Sequence, residues 1–318
     1  MKVTVVGAGG NVGSTVALSV AQRDFAKEVI AVDLERKEDD KTFYPSKGRA
    51  LDQWEASPIH LFDTRVKGTT DYADTANSDV CVITAGVPRR PGMSRDDLLE
   101  INANIVRSVT EQLVKHSPDT IIIVVSNPLD VMVQVAKDAS GLPYEKVMGM
   151  AGILDTARYR AFIAEELDVS PKDIQALLMG GHGDTMVPLP RFTTLAGMPI
   201  THFISDERLE EIVNRAKKGG GEIVGLMGTS AWYAPGAAAA QMVEAILLDQ
   251  NRIFPVCAHI DGQYGVEDLY IGVPVKLGKG GIKEVIEVEL TKEETDLMHQ
   301  SADAVRGTLN DFKKLMNK

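Results

Sequence analysis

A doubly wound parallel α/β lobe followed by an α+β lobe with antiparallel strands is the fold class that this 318-residue sequence predicts. In the first half, short, nearly uninterrupted apolar β-branched runs alternate with helix-length segments, the pattern of strands buried on both faces of a parallel sheet. A glycine-rich turn, GAGGNVGST, stands between the first such run and the first helix. Beyond about residue 150 the apolar runs lie too close together for crossover helices and read as antiparallel pairs. At this length one hydrophobic core is less natural than two lobes with a site between them.

Taken in order, strands are expected at 2–6, 28–32, 65–67, 80–84, 121–125 and 147–149. Helical spacing of apolar residues covers 96–116 and 129–139. The second half opens with a helix over 153–167, continues with strand-like runs at 174–179, 253–260, 269–276 and 282–288, and closes with a helix over 292–316. An apolar helix over 236–248 reads as core or subunit interface. The boundary is placed between 148 and 149, giving a nucleotide-type lobe over 1–148 and a substrate lobe over 149–318. The polar stretch ERKEDDKTFYPSK, 35–47, breaks the pattern and reads as a solvated loop.

Composition narrows the function. Thirty-four basic against forty-five acidic residues give a net charge of -11, which repels phosphate backbones and anionic lipid surfaces. Nucleic-acid and membrane partners are therefore not expected, and no apolar run is long enough to span a bilayer. Cys81 and Cys257 sit in apolar strand-like runs without metal-ligand spacing, so buried reduced thiols are expected and no metal site. The sequence enters its first strand at once, without a signal-peptide pattern, and a cytoplasmic location is expected.

The glycine turn has strand-turn-helix context, which gives the motif its meaning. Tight turning, close approach of a pyrophosphate and close helix packing all exclude a Cβ, and the helix N-terminus favours phosphate. Gly7, Gly9 and Gly13 are spaced one residue wider than the usual G-x-G-x-x-G, whereas Gly7, Gly10 and Gly13 fit G-x-x-G-x-x-G. Which of these glycines meets phosphate is left open by spacing. Asp33 ends the second strand twenty residues past Gly13. A carboxylate there accepts ribose hydroxyls and repels a 2′-phosphate, so NAD is the expected cofactor of a Rossmann-type lobe.

Hydride transfer to a keto acid needs a proton donor, a cation near the carbonyl, a carboxylate clamp and exclusion of water. His182, in GGHGD, is an acid–base candidate with room for a substrate on either flank. Taken singly, such a histidine is more often a capping or hydrogen-bonded structural residue. Asp155 and Arg158, in ILDTARYR, share one helix face. They form either an ordinary ion pair or a split pair, with Asp155 orienting His182 and Arg158 gripping a carboxylate as a fork. Arg89, Arg90 and Arg95, in PRRPGMSRDD, lie beyond the carboxyl end of a central strand. Ligands of open sheets bind at that edge, where Pro and Gly permit a closing segment.

The ordered set GAGGNVG, Asp33, TAGVPRRPGMSRDDLL, SNPLD, ILDTARYR and GGHGD resembles the lactate and malate dehydrogenase family over nearly the whole chain, most closely its lactate-dehydrogenase-like malate dehydrogenase branch. The resemblance implies that His182 is the acid–base group, Asp155 its partner, Arg95 the carbonyl-polarising residue and Arg158 the carboxylate clamp. Asn127 would contact substrate or nicotinamide, and Ser230 would lie near nicotinamide. Arg89 occupies the position that reads the far end of the substrate, glutamine in lactate enzymes and arginine in malate enzymes. The expected activity is thus NAD-dependent, reversible oxidation of (S)-malate to oxaloacetate, a step of the tricarboxylic acid cycle, by a homodimer or homotetramer. A lactate or broad 2-hydroxy-acid dehydrogenase, and a catalytically idle NAD-binding subunit, are the competing readings.

Overall fold

The computed structural model describes residues 1–88 and 95–316, and of Arg95 the backbone alone. In the first half, β1 (Lys2–Val6) leads through the glycine turn into α1 (Asn11–Gln22), followed by β2 (Glu28–Val32), β3 (Arg36–Glu38), β4 (Lys41–Phe43), α2 (Pro45–Glu55) and α3 (Ser57–His60). Then come β5 (Arg65–Thr69), β6 (Val80–Ile83), α4 (Arg95–His116), β7 (Ile121–Val124), α5 (Leu129–Ser140) and β8 (Val147–Gly149). The second half begins with α6 (Gly152–Leu167). Five two-residue strands follow, β9 (Ile174–Gln175), β10 (Leu178–Met179), β11 (Val187–Pro188), β12 (Thr194–Leu195) and β13 (Met198–Pro199). It ends with α7 (Asp206–Met227), α8 (Tyr233–Leu247), β14 (Arg252–Ile260), β15 (Leu269–Gly278), β16 (Gly281–Val285) and α9 (Lys292–Met316).

One nine-stranded sheet, in the order β16-β15-β14-β8-β7-β6-β1-β2-β5, organises the molecule. Its six first-half strands are parallel, whereas β14 joins β8 antiparallel at Cys257 and Gly149 and carries β15 and β16 with it. The predicted antiparallel strands of the second half therefore extend the first sheet. Val3, Val5, Val82, Ile122 and Ile123 are completely buried, as expected of strands covered on both faces. A smaller cluster, with Tyr159, Ile163, Ile174 and Ile212, lies between α6, α7 and the short strands.

Three sequence expectations are revised. The 35–47 stretch is no simple loop: 36–43 is a β3–β4 hairpin, and α2 begins at Pro45. Its strands are exposed on both faces, and the Arg36–Glu38 and Lys37–Glu35 ion pairs run along β3 and the residue before it, so the hairpin shows no apolar alternation. Asp39, at the turn, adopts φ of +50°, a conformation Asp tolerates. The run at 174–179 is split between two small sheets, β9 pairing with β12 and β10 with β11. The segment 206–227, given no element from sequence, is α7, whose N-terminus is capped by the Ser205 hydroxyl accepting the Arg208 N–H.

Strand order reverses between β1 and its two parallel neighbours, β2 on one side and β6 on the other. That reversal opens a crevice at the carboxyl ends of β1 and β6, where ligands of doubly wound sheets bind. On the second-half side, Gly180 forms a two-way bridge with Gly272 of β15: each N–H donates to the other's carbonyl, at 2.8 and 3.0 Å. A Cβ on Gly272 would sit 2.3 Å from the Gly180 carbonyl oxygen. Gly272→Ala is therefore expected to cost about 1–3 kcal/mol by overpacking. A lowered urea midpoint with an unchanged slope is the measurement that checks it.

Candidate active site

At the crevice, the glycine turn is organised so that each glycine has its own reason. Gly7 has φ of +87°, and a Cβ there would meet Thr84 Oγ1 at 2.6 Å. Gly10 is the N-cap of α1, without any side-chain cap, and its N–H donates to the Gly7 carbonyl at 3.0 Å. Gly13, in the first turn, approaches Gly7 so closely that a Cβ would lie 2.5 Å from the carbonyl oxygen. The 7–10–13 spacing thus marks turn entry, helix cap and helix packing. Gly9 serves the acidic partner instead, its N–H donating to Asp33 Oδ2 at 2.7 Å while the Leu34 N–H donates to Oδ1.

These residues fit a dinucleotide. A helix N-terminus with no side chain over it leaves first-turn amides for an anion. Asp33 keeps lone pairs for hydroxyl groups beyond the two amides, since an ionised carboxylate offers roughly four acceptor positions.

The acid–base group is built from α6 and the turn after β10. His182 Nδ1 lies 2.8 Å from Asp155 Oδ2, and Asp155 Oδ1 receives Arg158 Nη1 at 3.3 Å. Asp155 is 2% exposed, and Arg158 and His182 present only edges to the cavity. Burial by itself pulls the imidazole towards its neutral form. The charge and hydrogen bond of Asp155, with Asp130 adding to them, outweigh that pull, so His182 titrates above the ordinary histidine value. With Nδ1 committed to Asp155, Nε2 is left as the atom that exchanges a proton with a bound molecule.

A cavity of about 500 Å³ brings the predicted groups together, its wall including Asn127, Asp155, Arg158, His182, Lys217 and Ser230. Among the described residues, Arg158 Nε is buried without a hydrogen-bond partner. The helix wall behind it carries Gly219 and Gly220, whose missing side chains let the guanidinium lie flat: a Cβ on Gly219 would stand 3.2 Å from Arg158 Cδ. A buried, half-satisfied guanidinium beside an open cavity suits a carboxylate able to accept two parallel N–H bonds.

Arg89 and Arg90 lie outside the described residues, as does the side chain of Arg95, whose backbone begins α4. Asn102 of α4, 2% exposed, holds the approach to that segment. Its Oδ1 accepts the Val87 N–H at 2.8 Å, and its Nδ2 donates to the carbonyls of Val87 and Asn127.

A family model described as lactate/malate dehydrogenase, NAD binding domain, matches residues 1–149, and its companion, the alpha/beta C-terminal domain, matches 153–316. The chain belongs to the lactate/malate dehydrogenase family. It is an NAD-dependent oxidoreductase with a Rossmann-type first lobe. The malate dehydrogenase of Salinibacter ruber is 64% identical over 99% of this chain and 98% of its own length, and that of Cytophaga hutchinsonii is 58% identical over 98% and 97%. Among solved structures, S. ruber malate dehydrogenase superimposes with a TM-score of 0.93 at 60% identity, covering 100% of this chain and 99% of the other. Cryptosporidium parvum lactate dehydrogenase, complexed with lactic acid and NAD, gives 0.90 at 37% identity, covering 100% and 98%.

Sequence reasoning missed three neighbours of this site: Asn102, Asp130 and Lys217. Asn102 had a readable signal, an amide on the buried side of a helix. Asp130 lies within the SNPLD motif, and only the fold reveals that it faces His182. Lys217 reaches the cavity because of the path of α7.

The glycine geometry makes a direct prediction for family cofactor binding. Gly13→Ala should weaken NADH binding by about 1–3 kcal/mol through overpacking of the turn. Fluorescence titration of NADH should register a rise in Kd of roughly five- to 150-fold.

Proposed function

We propose that this chain is a malate dehydrogenase, interconverting (S)-malate and oxaloacetate with His182 as acid–base group. The observation that carries the reading is the buried Asp155–His182 hydrogen bond of 2.8 Å in a cavity shared with the half-satisfied Arg158 guanidinium. The full-length likeness to malate dehydrogenases supports the substrate assignment.

In the reduction direction, protonated His182 donates from Nε2 to the carbonyl oxygen of oxaloacetate as it becomes a hydroxyl group. Asp155 holds the ring orientation and stabilises the imidazolium, remaining ionised throughout. Arg158 grips the carboxylate next to the reacting carbon as a two-pronged donor. Arg95 polarises the carbonyl, and Arg89 pairs with the distal carboxylate. Asn127, exposed on the cavity wall, contacts substrate or the nicotinamide end of the cofactor. NADH, when bound through Gly7, Gly9, Gly10, Gly13 and Asp33, supplies the hydride.

Arg89 discriminates by charge. Oxaloacetate carries a second carboxylate, whereas pyruvate leaves a guanidinium unpaired in a closed site. Removing one partner of a buried ion pair costs ~3–5 kcal/mol, roughly two to four decades in rate. The remaining parts of the reading are a cytoplasmic, tricarboxylic-acid-cycle enzyme, with residues 1–148 as nucleotide lobe and 149–318 as substrate lobe, active as a homodimer or homotetramer.

The decisive experiment follows NADH consumption with oxaloacetate and with pyruvate. Oxaloacetate should be preferred by at least about a hundredfold in kcat/KM, and equal efficiencies would overturn the substrate assignment. Arg89→Gln should shift preference towards pyruvate. His182→Ala should lower turnover by about 10²–10⁴-fold with NADH affinity retained. An active His182→Ala enzyme would dismiss the acid–base role.

The pH dependence has a fixed sign. Reduction uses imidazolium, present below the raised His182 pKa, so kcat/KM for oxaloacetate should fall as pH rises through it. Oxidation uses neutral imidazole, so kcat/KM for malate should fall as pH drops through the same value. Both inflections should lie above the ordinary histidine value, and profiles inflecting below it would contradict the Asp155 pairing.

A further inference from the structure

Three successive backbone amides hold the turn that carries His182. Gly180 N–H donates to the Gly272 carbonyl at 2.8 Å, Gly181 N–H to Ser301 Oγ at 2.8 Å, and His182 N–H to Asp130 Oδ2 at 3.3 Å. The first two acceptors are neutral, and the third is a carboxylate. Asp130 occupies the first turn of α5, three residues past Asn127. Its other oxygen, Oδ1, accepts the Cys257 thiol at 3.2 Å. Cys257 is fully buried in β14, where its register partner is Gly272. The contacts therefore close a ring: Gly180 to Gly272, across the sheet to Cys257, on to Asp130, and back to His182.

We propose that Asp130, anchored by the Cys257 thiol, is a second positioning carboxylate for His182, fixing its main chain and adding a negative charge that favours the protonated acid–base group. This rests on the proposed acid–base role of His182. An acceptor for one amide alone does not require a carboxylate, because an asparagine oxygen or the serine hydroxyl used for Gly181 suffices. A carboxylate at 130 accepts from both amide and thiol and carries charge as well. With Asp155, Asp130 and Arg158 ionised, the cluster is balanced only when His182 is the imidazolium. Asp184 and Asp311 line the adjoining cavity with His182 and add to the negative side, while Lys217 of α7 opposes them from the Arg158 side.

The titration directions agree with this geometry. Burial pushes the Asp130 carboxyl above the usual carboxylate value, and the Cys257 hydrogen bond and the His182 charge offset that rise only in part, so its charge depends on both partners staying in place. Burial, and then the Asp130 charge, pushes the Cys257 thiol well up, keeping the proton on sulfur and available for donation.

The test is Asp130→Asn, which keeps the acceptor for His182 N–H and removes the charge. NMR titration of imidazole-labelled full-length protein, with His182 assigned through His182→Asn, should show His182 titrating at lower pH in the variant. The alkaline limb of the oxaloacetate kcat/KM profile should move the same way, lowering reduction near pH 8 by roughly three- to tenfold, with NADH affinity retained. Cys257→Ala should move the His182 titration in the same direction by less, and Cys257→Ser, which keeps a donor, should titrate as wild type. If Asp130→Asn folds and leaves the His182 titration unchanged, the proposal is overturned. Should Asp130→Asn not fold, the Cys257 pair decides in the same way, equal titrations of the Ala and Ser variants refuting it. The NMR readout needs no turnover, so it remains separate from a failure of the acid–base reading itself.

Discussion

The hydrogen bond between His182 and Asp155 is the contact on which the geometry of the candidate site depends. Asp155 is nearly inaccessible to water, and an unpaired carboxylate in that position would be costly, so the imidazole edge and the Arg158 guanidinium must both arrive with correct geometry. Asp155 and Arg158 come one helical turn apart on α6, but His182 comes from a turn beyond β10 that has no regular structure to hold it. Its rigidity is borrowed from outside: β15 supplies Gly272, α9 supplies Ser301 and α5 supplies Asp130. Three remote elements converge because one side chain has to be held still.

The cofactor end of the crevice solves the opposite problem, making space where the backbone would otherwise fill it. Gly7 and Gly13 nearly touch, and Gly9 is drawn to Asp33, so the turn leaves helix amides facing outwards. Polar side chains are absent from the N-cap of α1 because the ligand takes their place. The same economy recurs at Arg158, where glycines of α7 replace side chains that would crowd the guanidinium.

Much of this was legible in the sequence for physical reasons. Strands buried on both faces must be apolar throughout, so β1, β2 and β8 could be bounded to the residue. The glycine turn and Asp33 announced a dinucleotide through spacing and context, while the pairing of Asp155 with His182 required long-range proximity that the family resemblance supplied. The β3–β4 hairpin stayed hidden because both its faces are polar and its ion pairs leave no periodicity. α7 was obscured by three consecutive glycines, poor helix formers, of which Gly219 and Gly220 lie against Arg158. Asp130 was invisible as a functional residue because its partner thiol lies 127 positions away and its partner amide 52.

The antiparallel pairing of β14 with β8 has a mechanical meaning. Among the described residues the two halves share one hydrogen-bonded sheet, and α9 packs on α4 and α5 of the first half as well as on β11 and β15 of the second, so swinging the halves apart would break sheet pairing. The floor of the crevice, carrying Asp155 and His182, is thereby tied to the same sheet that orders the rest of the chain.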